Sequence, residues 1–293
     1  MNILSFDIEE WYIEKHFKKD EESKYLAYDS ILSRILELLD SHSLKATFFC
    51  LGGLVESFPY VVKKIAERGH EIGCHSNRHK WVNKMTPKEF YKDTYEAISA
   101  LQDCTGQAVK SYRAPAFSIG ESNKWAFEVL CECGIENDAS IFPGNREVGG
   151  FPSFNCGNKP CKIVYNECMI NEFPITMGRI PVIEKRIAFS GGGYFRLLPL
   201  IFIKSQINTS NYVMGYFHIL DLLDFKSKLM TKVEYERYFK ETGSLNNRLI
   251  RYLKSNIGRK RAFTNLTKLI NSYEFMSIKD AVKIIKNPPI ISL

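Results

Sequence analysis

Apolar residues recur along this chain in two alternating rhythms. Short runs at residues 2–6, 45–51, 71–74 and 111–113 carry the aliphatic and aromatic side chains of buried strands. Between them the spacing is helical. Leu26, Ile31, Leu32, Ile35, Leu36 and Leu39 mark one face of a helix over 25–39. Residues 59–68 read as a second helix, closed by Gly69. Thr86, Pro87 and Glu89 supply an N-cap, a proline at the first helical position and a capping-box acid for a long third helix. Residues 122–133 read as a fourth, stopped at Gly134. Over 144–171 the rhythm breaks into Gly, Pro, Asn and Cys, which predicts a long excursion over the surface. Strands resume at 170–175 and 212–217, and Thr231 with Glu234, then Ser277 with Asp280, predict capped helices near the end.

This β–α alternation predicts an α/β fold with parallel strands and helices packed outside, either a barrel or an open doubly wound sheet. No Gly-rich phosphate loop follows the first strand, which counts against a nucleotide-binding sheet. The length of 293 residues is close to the upper size of one barrel-like domain. The expected organisation is a single domain over 1–293, with residues ~223–293 a helical C-terminal extension packed on it.

Composition adds little to this until charge and cysteine are placed. The chain is 45% hydrophobic and 25% charged, as in ordinary soluble globular proteins. Its longest apolar run, 197–203, is interrupted by Pro199 and falls far short of the roughly 20 residues of a transmembrane helix. The first residues lack a basic n-region and turn acidic, so a cytoplasmic location is expected. The eight cysteines do not read as a disulfide framework. Cys131, Cys133, Cys156, Cys161 and Cys168 crowd one region, but their spacing is not that of a standard zinc finger. The net charge of +7 concentrates late, in Arg248, Arg251, Lys254, Arg259, Lys260, Arg261 and Lys268. A solvated helix face is the simplest reading; contact with an anionic substrate or membrane surface is the alternative. Aromatic residues are not interleaved there, so no nucleic-acid partner is expected.

Candidate chemistry falls at strand ends, where barrels collect it. Asp7 and Glu9 follow the first strand. His75 and His79 follow the strand at 71–74, Arg113 ends the next, Asp138 follows another and His218 ends the last. Two imidazoles four residues apart would share one face of a helical turn. With Glu9 they form a set of two histidines and one carboxylate, which suits zinc and also accepts cobalt, nickel or iron. An ion held there would lower the pKa of its water and polarise a substrate carbonyl. Asp7 is placed to act as general base, Arg113 to hold Asp7 ionised, His218 to protonate the leaving amine, and Asp138 to orient His218. A backbone N–H near Ala116 is a candidate oxyanion donor. Each role has a structural alternative: packing histidines, a carboxylate capping a turn, an arginine bridging structural acids. Glu10 competes with Glu9 for the metal, although strand alternation turns it away from Asp7. Trp11 and Tyr12 read equally as a sugar-stacking wall or as core. The glycines at 191–193 mark a flexible or closely packed loop near the rim.

These segments together resemble the polysaccharide deacetylases, carbohydrate esterase family 4 in the broad sense. The similarity is strongest to the subgroup associated with exopolysaccharide loci and to peptidoglycan deacetylases of the D-x-[DE] type. SFDIEEW at 5–11 resembles the first motif, HSNRH at 75–79 the second, RAPAFS at 113–118 the third, NDASIF at 137–142 the fourth and YFHILD at 216–221 a degenerate fifth. SGGGYFRLLP at 190–199 resembles a segment of that subgroup. The resemblance implies a deformed (β/α) barrel, TIM-like, with seven parallel strands. It also implies metal-dependent removal of an N-acetyl group from an amino sugar of a surface glycan or its precursor. It places Asp7 as base, Glu9, His75 and His79 as metal ligands, His218 as acid, and Arg113 and Asp138 in support. Three departures stand out: Asp-Ile-Glu replaces adjacent aspartates, Ala116 replaces a tyrosine, and Ile and Leu follow His218. The partner implied is an N-acetylated sugar or glycan, with peripheral contact to a membrane-linked glycan conceivable. A deformylase or other C–N hydrolase uses the same residues, and a catalytically silent glycan-binding barrel is the reading from another class.

Overall fold

The computed structural model describes residues 1–146, 148–180, 185–225, 228–239 and 242–293. Its centre is a nine-stranded sheet in the order β10-β1-β2-β3-β4-β5-β7-β6-β11. The strands are β1 (Asn2–Ile8), β2 (Thr47–Cys50), β3 (Glu71–Cys74), β4 (Ser111–Tyr112), β5 (Asn137–Asp138), β6 (Cys161–Tyr165), β7 (Cys168–Glu172), β10 (Val213–His218) and β11 (Ile290–Ser292). A separate ribbon pairs β8 (Gly178–Ile180) with β9 (Lys185–Ile187). From β10 through β7 every neighbouring pair is parallel, which makes seven parallel strands. β6 runs antiparallel to β7, and β11 lies beside β6. Most helices fall between successive parallel strands, as right-handed crossovers require.

Alternation along the strands builds two cores. Leu4, Phe6, Ile8, Phe48, Cys50, Ile72, Cys74 and Tyr112 turn outward against the helices. On the other face Ile3, Phe49, Ala139, Phe173, Met214 and Tyr216 form a second cluster inside the curled sheet. Curling is visible in the contacts: Arg113, just after β4, reaches Asp7 on β1 and Met214 on β10. The gap between β7 and β10 is stitched by the Met214 N–H donating to Thr176 Oγ1 (2.7 Å) and the Tyr212 hydroxyl donating to the Pro174 carbonyl (2.8 Å). This is the deformed (β/α) barrel expected.

Several local readings change. The predicted excursion over 144–171 holds the β6–β7 hairpin and buries Phe151, Phe154, Cys161 and Ile163, so much of it is core rather than surface. Trp11 and Tyr12 are buried and pack in the outer cluster, not in a sugar wall. Cys131 and Cys168 form a disulfide, a single bridge that the sequence reading did not anticipate, while the other six cysteines are free. Cys156 and Cys161 are thiols in contact with one another. Residues after 223 supply helices and also β11, which pairs with β6. The glycine run is closely packed: a Cβ on Gly191 would meet the Tyr216 carbonyl oxygen at 1.9 Å, so the segment rests directly on β10.

Candidate active site at the barrel rim

Asp7, penultimate in β1, stands in register with His218 on β10 and Phe49 on β2. Its Oδ1 accepts from Arg113 Nη1 at 2.8 Å, and both side chains are buried. Arg113 is itself held on three sides. Nε donates to the Ala139 carbonyl, Nη2 faces the Met214 sulfur, and the guanidinium stacks on Phe49 at 4.2 Å. A guanidinium so fixed sets a positive charge directly against the buried carboxylate, the contact that the expected role of Arg113 calls for.

Glu9, His75 and His79 converge beside this pair. His79 Nε2 lies 2.8 Å and His75 Nε2 3.3 Å from Glu9 Oε2. Burial opposes the Glu9 charge, but the imidazoles of His79, His218 and His75 hold its carboxyl well below the usual range. His75 Nδ1 is 2.8 Å from the Arg113 carbonyl; donation there fixes the tautomer and leaves Nε2 free as a ligand. The histidines do not share a helical turn as the spacing predicts. They occupy a loop in which Ser76 and His79 both adopt left-handed backbone, φ 69° and 55°. Ser76 Oγ accepts the His79 N–H, Asp93 accepts the Asn77 N–H, and the Ser76 and Asn77 carbonyls accept from Gly52 and Gly53. The donor atoms of Glu9, His75 and His79 all lie within 4.8 Å of one another, and two imidazoles with one carboxylate is a donor set suited to a zinc-like ion. Among the described residues this is the one such cluster, so the crowded cysteines form no second metal cage.

Glu10 faces elsewhere. It is buried, and its Oε1 accepts the Leu220 N–H at 2.8 Å. Burial and the charge of Glu9 push its carboxyl up to about 7. Glu9, not Glu10, therefore lies with the two histidines, and Glu10 ties the first loop to the loop after β10.

His218 completes the rim, its Nε2 3.8 Å from Asp7 Oδ2 and 3.7 Å from Glu9 Oε1. Its Nδ1 meets Asp221 Oδ2 at 3.0 Å, and its own N–H donates to the same oxygen. Burial works against the imidazolium, but Glu9, Asp221 and Asp7 prevail and raise its pKa well above the usual value. Asp221 is held below its ordinary range, against burial, by His218 and by Arg196, whose Nε is 3.2 Å from Oδ1. Asp221 was not singled out in the sequence; the signal was its position three residues after His218, where a capping acid reaches back.

Asp138 does not orient His218. It sits in register with Tyr112, which faces Phe90 and the outer helices, so its side chain leaves the barrel interior. There it accepts from Ser140 Oγ (2.5 Å) and the Ser140 N–H (3.1 Å) and adjoins Glu172. Its contribution is indirect: it shapes the turn whose Ala139 carbonyl holds Arg113. Ala116, three residues after Arg113, adopts left-handed backbone, φ 55°, in the turn Pro115–Phe117.

Residues 18–137 match the polysaccharide deacetylase model, and residues 139–283 match a domain of unknown function, DUF3473. The first match contains His75, His79 and Arg113; Asp7 and Glu9 precede it, and His218 and Asp221 fall in the second. Folding reunites what these two matches divide. A peptidoglycan-N-acetylglucosamine deacetylase of Bacillus cereus is 40% identical over 96 residues, covering 32% of this chain and 35% of that protein. A peptidoglycan deacetylase of Helicobacter pylori is 30% identical over 110 residues, covering 38% and 36%. The chain thus spans about a third of the length of these relatives. A crystal structure from Mycobacterium smegmatis assigned to the polysaccharide deacetylases superposes with a TM-score of 0.61 at 16% identity, covering 96% of this chain and 88% of that one. By sequence, residues 18–137 carry a polysaccharide deacetylase domain followed by a domain of unknown function over 139–283, and nearly the whole chain shares its fold with the Mycobacterium smegmatis structure.

Proposed function

We propose that the protein is a metal-dependent hydrolase that removes the N-acetyl group from an amino sugar of a surface glycan or its precursor. One observation carries this reading: Asp7, the cluster of Glu9, His75 and His79, and His218 converge on a single point of the rim. Asp7 and Glu9 both lie within 4 Å of His218, and Glu9 binds both other histidines. Glu9, His75 and His79 would hold the ion, which supplies Lewis acidity at the acyl oxygen and makes water acidic enough to ionise near neutral pH. Asp7, held in place by Arg113, takes the proton of the attacking water. His218, kept charged by its acidic neighbours, delivers a proton to the departing amine nitrogen, so the sugar leaves as a neutral amine. Asp221 turns Nε2 of His218 toward the reacting centre by holding Nδ1.

Two measurements test this reading. Elemental analysis by mass spectrometry should find about one zinc-like ion per chain, lost in the His75→Ala, His79→Ala double variant. Acetate release from N-acetylated oligosaccharides should fall at least about 100-fold in Asp7→Ala. Absence of metal after incubation with zinc or cobalt would sink the proposal, as would absence of acetate release from every free, nucleotide-linked and lipid-linked N-acetyl sugar. Formate release in place of acetate from matched substrates would move the reading to a deformylase.

A further inference from the structure

The helix Leu245–Asn256 is folded with its polarity reversed. Arg248, Arg251, Tyr252, Ser255 and Asn256, at helical spacing, are its half-buried residues. They are tied down: Arg248 donates to the carbonyls of Gly243 and Met230, Arg251 stacks on Phe239 at 4.1 Å, and the Ser255 carbonyl accepts from Arg196 at 2.8 Å. The leucines face outward. Leu245, Leu249, Ile250 and Leu253, with Ile257 just beyond the helix, are between 39% and 56% exposed, and no residue of the helix is fully buried. A contiguous apolar stripe left in water marks a surface meant to be covered.

Charge says by what. From residue 242 to 273 the chain has seven lysines and arginines and no aspartate or glutamate. Three of the arginines, 248, 251 and 259, are engaged within the protein, whereas Lys254 and Lys260 are exposed next to the apolar stripe. A second copy of this chain would bring like charges face to face. An anionic bilayer offers an apolar layer to the leucines and negative headgroups to the lysines.

We infer that this face docks the protein peripherally on an anionic membrane surface. The docked helix stands beside the site, because Arg196 bonds the carbonyls of Ser255 and Ile257 and also meets Asp221, the partner of His218. Resting on the proposed deacetylase activity, the inference names the substrate class as a membrane-linked glycan.

Flotation of the whole chain with vesicles tests the docking without reference to activity. Binding is expected to vesicles of phosphatidylglycerol and phosphatidylcholine in equal parts, about tenfold weaker to phosphatidylcholine alone, and weaker as salt is raised. Leu249→Gln with Leu253→Gln should lose about tenfold in binding. Acetate release from a soluble oligosaccharide should be unchanged in that variant, since neither residue touches the site. Lys254→Glu with Lys260→Glu should lose binding with the leucines intact. Equal or no binding to the two vesicle types would overturn the inference. So would a dimer in sedimentation velocity that the leucine variant dissolves, which would make the face a self-association surface. Intact vesicle binding with no acetate release from any substrate would support docking while refuting the hydrolase reading.

Discussion

Two carboxylate pairs sit in one barrel in opposite electrostatic surroundings. Buried Asp7 and half-buried Glu9 are surrounded by Arg113, His75, His79 and His218, which hold the Glu9 carboxyl well below its usual range. Asp138 and Glu172 are fully buried, and the donors facing them are neutral: Ser140 Oγ and the N–H groups of Ser140 and Ile141. Glu172 Oε2 has no donor facing it, and burial with the charge of Asp138 pushes its pKa well up. Two acceptor-only carboxylates cannot bond to one another, so burial and the adjoining Asp138 favour the protonated form of Glu172, which can donate to Asp138. Burial alone thus does not decide a carboxylate's role; the cations facing it do. The compensated pair is ready for proton transfer, while the uncompensated pair braces a turn.

The sharpest way to break this contrast is to remove the cation. Arg113→Met should leave Asp7 buried without its partner and lower unfolding free energy by about 3–5 kcal/mol, read from urea denaturation. A loss below about 1 kcal/mol would mean that Asp7 finds another partner or that water enters. Next in size is Asp221→Asn, which removes the charge behind His218. We expect kcat on an N-acetyl sugar to fall about 100-fold with KM little changed, because acid catalysis contributes on that scale. An activated aryl acetate, whose leaving group needs no proton, should be hydrolysed at nearly the parental rate. A parallel fall on both substrates would assign Asp221 a purely structural role.

The smallest effect is expected at the neutral pair. Because the folded-state pKa of Glu172 is raised, the unfolded chain releases its proton first as pH increases. The parent therefore loses stability from about pH 4.5, the ordinary glutamate value, upward toward the folded pKa. Glu172→Gln keeps the donor to Asp138 without the ionisable proton. It should match the parent at acid pH and exceed it by about 1–2 kcal/mol above neutrality, the scale of relieving one unsatisfied buried acceptor. Thermal unfolding across pH reads this directly, and a constant difference at every pH would count against a protonated Glu172.

Which residues were legible before folding follows from how far apart their partners lie in the chain. Strand and helix rhythm marked most of the parallel strands, and the ends of those strands marked Asp7, Arg113 and His218. Alternation favoured Glu9 over Glu10 without deciding between them; the helix that starts at Glu10 does so, leaving Glu9 beside the histidines and Glu10 on the Leu220 N–H. The helical reading of His75 and His79 failed because spacing four is also met by a loop with left-handed residues, and backbone sign is not written in spacing. β11 and the ribbon of β8 and β9 were missed because three-residue strands carry no measurable period.

Asp138 and Asp221 show what was not legible. Both are aspartates near a strand end, but the sequence reading gave the role of orienting His218 to Asp138 alone. Register and capping decided otherwise: Asp138 pairs with Tyr112 and turns outward, while Asp221, third in the short helix Ile219–Leu222, reaches back to His218 at its N-cap. The sequence by itself determined the alternation of strands and helices, and with it the rim on which the ionisable groups collect, because period and composition are local properties of a chain. Only the tertiary structure decided which acids meet cations and which share a proton, because those energies depend on distances between residues a hundred or more positions apart, as between Asp7 and Arg113.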